Sequence, residues 1–72
     1  MITKIGIVAG EIWRHLDEKE TSTLSEISSL LDHPNDIILM SIGWLTREGH
    51  IVLKKEGSDF RISLRSKNPP TN

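Results

Sequence analysis

The sequence predicts an α+β domain of the winged helix-turn-helix type, with three helices, a C-terminal β-hairpin as the wing and a short third strand beside it. Three observations predict it. Apolar residues recur with helical spacing in three successive segments of the N-terminal two thirds. Gly49 stands just beyond the last of these, where helices commonly end. After Gly49 the apolar residues alternate, as they do in half-buried strands.

In the first segment Ile5, Val8, Ala9, Ile12, Trp13 and Leu16 share one helical face, predicting a helix over about residues 5–17. The rival reading takes KIGIVAG as a strand entering a glycine turn. It lacks the full glycine fingerprint of a nucleotide-binding fold, and the chain has no room for a parallel sheet. Gly6 and Gly10 each weaken the helix by about 1 kcal/mol. They lie one turn apart beside the core stripe, and their use is expected to be close approach of another backbone.

The polar stretch DEKE leads to TST at 21–23, the candidate third strand. Thr23 and Glu26 have the S/T-x-x-E spacing of a capping box, predicting a two-turn helix with Leu24, Ile27, Leu30 and Leu31 as its apolar stripe. In DHPND, Pro34 suits the first position of a third helix, because its missing N–H would have no partner there. That helix runs to about Arg47.

In the alternating runs, Ile51 and Leu53 are expected to face inward and Val52 and Lys54 outward. EGSD makes the turn, and Phe60, Ile62 and Leu64 then alternate with Arg61, Ser63 and Arg65. The domain is expected to occupy residues 1–65, and SKNPPTN at 66–72 to be a frayed tail.

A chain of 72 residues buries only about 60% of its unfolded surface, so each large apolar side chain counts. Trp13, Trp44 and Phe60 are the only aromatics, and both tryptophans are expected in the core. Trp44 and Leu45 would close it where the third helix turns into the wing. No cysteine is present, which excludes disulfides and thiolate metal sites. The apolar run at 5–10 is short for a secretory signal and is stopped by Glu11. The protein therefore reads as cytoplasmic, without a membrane-spanning segment.

Two segments, IGIVAGEIW at 5–13 and IGWLTREGHI at 42–51, resemble the paired signatures of a small prokaryotic winged helix-turn-helix family of uncharacterised function. The A-G-x-I-W and G-W-L-x-R-E elements carry the resemblance, which spans residues 5–64. It implies the winged-helix fold and a homodimer. It implies no enzymatic activity and brings no established ligand.

Stepping the third helix at 100° per residue puts Ile37, Ile38, Ser41, Ile42, Trp44 and Leu45 on an inner arc. Asn35, Asp36, Leu39, Gly43, Thr46 and Arg47 lie opposite, with Met40 at the edge. A helix reading the major groove presents polar and cationic side chains to base edges. This one offers a single cation beside Leu39, Met40 and Gly43, the pattern of a helix covered on both sides. A homodimer or protein contact there, with Gly6 and Gly10 nearby, competes with packing inside the same chain.

The wing is better suited to an anion. Residues 1–36 carry seven acidic and three basic side chains, residues 37–72 three acidic and six basic. Arg47, Lys54, Lys55, Arg61 and Arg65 would meet the phosphates of double-stranded DNA in a sequence-independent, salt-dependent contact. The plainer account is that these cations keep a small hairpin soluble, and Glu56 and Asp59 offset them.

His15, His33 and His50 lack metal-ligand spacing and read as scattered surface histidines. The serines of the second helix form no nucleophile elbow. Arg47 and Glu48 end a helix, where capping accounts for them. No enzyme, cofactor, metal or small-molecule substrate is expected. The expected function is nucleic-acid binding, possible as a transcriptional regulator, with protein interaction through the third helix as the alternative.

Overall fold

The structure is a computed structural model and describes residues 2–65. The elements run α1 (Ile2–Lys19), β1 (Thr21–Thr23), α2 (Leu24–Leu30), α3 (Asn35–Arg47), β2 (Ile51–Glu56) and β3 (Asp59–Leu64). The three strands form one antiparallel sheet in the order β1-β3-β2. Three helices with this sheet are the winged helix-turn-helix arrangement that the periodicity predicts, and TST is its third strand.

Local chemistry sets the element ends. α1 is longer than its apolar stripe, and ends where Glu20 takes a left-handed φ of 69° and its amide bonds the Leu16 carbonyl at 2.7 Å. The Thr23 hydroxyl accepts the Glu26 amide, and the Thr23 amide donates to the Glu26 carboxylate, both at 3.1 Å. The expected capping box therefore starts α2. Pro34 is the residue before α3, one position ahead of the expected one. At the other end, Gly49 has φ 79°. The His50 amide bonds the Leu45 carbonyl and the Gly49 amide the Thr46 carbonyl, the Schellman pattern that turns the helix into the wing.

The core is built from Val8, Ala9, Ile12 and Leu16 of α1, Ile27 of α2, Ile37, Ile38, Ile42 and Leu45 of α3, and Ile51 and Ile62 of the hairpin. Leu24, Leu31, Trp44, Phe60 and Leu64 pack half-buried against it. Buried Ser41 is satisfied by the Ile37 and Ile5 carbonyls at 2.7 and 3.3 Å, tying α3 to α1.

Several expectations need correction. Leu53 is 37% exposed, because the hairpin runs beyond the helices that cover Ile51. Leu30 is 63% exposed, since α2 ends there and the chain turns extended at Leu31, which packs inward instead. Ile5 is only half-buried. Neither tryptophan is a core centrepiece. Trp44 is half-buried against the core, with its ring 6.2 Å from that of His50. Trp13 is also half-buried, and its Nε1 is enclosed without a hydrogen-bond partner. The histidines are half-buried and engaged, with His15 3.2 Å from the Ser22 hydroxyl and His33 3.2 Å from the Glu11 carboxylate. A Cβ added at Gly6 or Gly10 would meet nothing within 4 Å, so no other backbone among the described residues approaches either glycine. The tail at 66–72 lies outside the described residues.

Candidate interaction surfaces

The register of β2 on β3 decides which wing side chains share a face. Ile51 pairs with Leu64, Leu53 with Ile62 and Lys55 with Phe60, on the face turned toward the helices. Val52 pairs with Ser63 and Lys54 with Arg61 on the opposite face, where Arg65 continues the alternation of Arg61 and Ser63. Lys54, Arg61 and Arg65 are therefore brought together. Lys55 is not with them: its Nζ lies over the Phe60 ring, 4.7 Å from the centroid, on the other face. Arg47 is separate again, exposed at the end of α3.

The charged face is partly neutralised. Arg61 Nε lies 3.2 Å from the Glu56 carboxylate, and both side chains are well exposed, so solvent weakens the pair. Lys54 stands directly across from Arg61 with the same sign of charge, an arrangement that disfavours itself and favours an anion between them.

Asp59, at the start of β3, is a structural anchor. Its carboxylate accepts the Phe60 amide at 2.8 Å and the Ser25 amide at 3.3 Å. A side-chain hydrogen bond from Ser25, followed by the Phe60 amide and more weakly by the Ser25 amide and Arg61, holds its pKa below the usual 3.8 against a small opposing effect of burial. The wing thus supplies a second anionic partner to the N-terminus of α2. The sequence alone shows Asp59 only as a turn residue, because the contact joins positions 34 residues apart.

The outer arc of α3 is exposed among the described residues, with Leu39 at 46% and Met40 at 41%. Between this helix and the wing runs an apolar groove of about 190 Å³. Leu39 and Gly43 form one wall, Leu53 and Phe60 the other, and Leu24 closes one side over a floor of Ile42 and Ile62. Leu53, misplaced in the core by its alternation, belongs to this groove. Met40 is a further exposed apolar residue of α3, and grouped exposed apolar residues are of the kind that marks interaction sites.

Among the described residues, no group of three His, Cys, Asp or Glu side chains is placed to hold a metal ion. Nor is any helix long and apolar enough to cross a membrane.

The chain is 38% identical over 65 residues to the uncharacterised protein MJ1608 of Methanocaldococcus jannaschii, an alignment covering 86% of this chain and 91% of that protein. Residues 1–64 match the family described as the winged helix-turn-helix domain DUF2582. Together with the three helices and the wing, these matches make the chain a member of the DUF2582 winged helix-turn-helix family.

Proposed function

We propose that this domain, residues 1–65, is a non-enzymatic, cytoplasmic nucleic-acid-binding module serving transcriptional regulation. It grips the phosphate backbone of double-stranded DNA with its wing. The supporting observation is the strand register, which sets Lys54, Arg61 and Arg65 on one face of the sheet. Arg47, exposed at the end of α3, and Lys55, on the other face of the sheet, are the further cations of this reading. Contacts of this kind position the protein without reading sequence.

An amide NMR titration with a mixed-sequence duplex at low and high salt tests the reading. Shifts should cluster on residues 54, 61 and 65 and fade with salt, with the log–log salt slope changing by about 0.9 per phosphate neutralised. Replacing Lys54 and Arg61 by Glu should abolish the shifts. An unchanged spectrum at duplex excess removes the reading.

A second reading is favoured by a different observation, the groove between α3 and the wing. On that reading the outer face of α3, around Leu39, Met40 and Gly43, binds another protein or a second copy of the chain. Gly6 and Gly10 are a smaller, open surface on α1 that the same partner would approach.

A further inference from the structure

The outer face of the sheet is ordered by spacing as well as by charge. Arg61, Ser63 and Arg65 share that face, and each step between them rises about 6.7 Å. Arg65 lies just past the end of β3, but its amide bonds the His50 carbonyl at 2.9 Å and keeps the alternation going. Ser63 is half-buried between Val52 on one side and Thr21 on the other. Among the described residues its hydroxyl has no hydrogen-bond partner. A hydroxyl midway between two guanidinium groups is a donor placed for an anion.

The tip of the wing is the wrong end for phosphate. Glu56 and Asp59 face each other there, on either side of the turn. Lys55, also near the tip, is engaged over Phe60 on the inner face. On the outer face the cations begin one step further in, where Lys54 stands across from Arg61. The tip therefore repels what the middle and root of the hairpin attract. Among the described residues, no aromatic side chain stands on the outer face, since the wing's one aromatic, Phe60, belongs to the inner face. Unpaired bases find no ring there to stack on.

We propose that β3 lies along one strand of a DNA duplex, with Arg61, Ser63 and Arg65 each meeting one of three successive phosphates. The inference rests on the DNA reading above and adds to it a direction along the backbone and a contact at Ser63. The rise between alternate residues of β3 is close to the spacing of successive phosphates on one nucleic-acid strand, so the match holds over all three. Lys54 reinforces the contact at Arg61. Glu56, 3.2 Å from that guanidinium, is displaced by phosphate at little cost because the pair is exposed. The acidic tip points past the backbone instead of entering a groove.

Fluorescence anisotropy of the full chain with a labelled mixed-sequence duplex, and with a single strand of the same length, tests the placement across a range of salt. The duplex should bind more tightly. Ser63→Ala should weaken it about three- to tenfold, the worth of one solvent-exposed hydrogen bond, without changing the salt slope, since no charge is lost. Arg65→Gln should flatten that slope by about 0.9. Ser63→Glu should cost more than about tenfold, whereas Ser58→Glu, the same charge at the exposed tip, should stay within about threefold. Melting curves establish that each variant folds, and Ser63→Ala carries the test if the Glu variant does not. Equal losses from the two Glu variants, no loss from Ser63→Ala, or tighter binding of the single strand overturns the placement, while the wing remains a nucleic-acid-binding surface. Failure of the native chain to bind either nucleic acid overturns the placement and the DNA reading together.

Discussion

Both sides of α3 carry apolar residues, in opposite environments. Ile37, Ile38, Ile42 and Leu45 are buried, while Leu39, Met40 and Gly43 on the reverse side are exposed. A small domain with few large apolar residues would place them all inside if stability alone chose their positions. The inner side is explained by the fold, because α1 and the wing pack against it. Among the described residues, the outer side is left exposed at Leu39, Met40 and Gly43. This difference sets α3 apart from the wing, where Lys and Arg on an exposed hairpin are ordinary.

Neighbouring residues can break that comparison. Ile38→Ala should cost about 2–5 kcal/mol of unfolding free energy, the range for truncating a fully buried aliphatic chain. Leu39→Ala, one position on and half exposed, should stay within about 0.5 kcal/mol under conditions where the chain is monomeric. Urea unfolding of both variants at low protein concentration checks the pair. Equal costs would mean that the outer side also supports the fold of the single chain.

Gly43→Ala sharpens the comparison with a smaller effect of opposite sign. The helix-propensity gain should stabilise the isolated chain by about 0.5–1 kcal/mol, and the added methyl meets nothing. Thermal melts at high dilution read this gain. If contact between copies needs the glycine, the same substitution should weaken self-association when the melts are repeated at high concentration. Stabilisation at every concentration would leave Gly43 without a role in contact.

What was legible in the sequence was mainly local or periodic. The Thr23–Glu26 capping box spans three residues, and a 100° step divides α3 into inner and outer arcs without knowledge of its neighbours. Periodicity says which face a residue occupies but not how far along the element the core extends. Leu53 and Leu30 therefore read as inward-facing, although their elements outrun the packing at those positions. The tryptophans differ from expectation for a related reason, since ring size argues for burial while each position lies toward the edge of its stripe. The wing cations were legible as a set. Alternation alone puts the neighbours Lys54 and Lys55 on opposite faces, but their cross-strand partners, Arg61 and Phe60, follow from a register that the sequence does not fix.

The smallest effect concerns the joint between the two regions, where Asp59 of the wing holds the start of α2. Its pKa is lowered in the folded chain, first by the side-chain hydrogen bond from Ser25, so the ionised form stabilises the fold. That contribution is fully present above the ordinary value of 3.8 and fades as pH falls below it toward the folded value. Asp59→Asn keeps an acceptor oxygen but loses the charge. The variant should therefore melt below the native chain at neutral pH, with the gap closing under acid conditions beneath pH 3.8. Melting curves of both proteins from neutral to acid pH test this. A gap independent of pH would show that Asp59 acts by shape alone. Closure at the stated pH would mean that the negative charge of Asp59 helps to hold the wing against the start of α2.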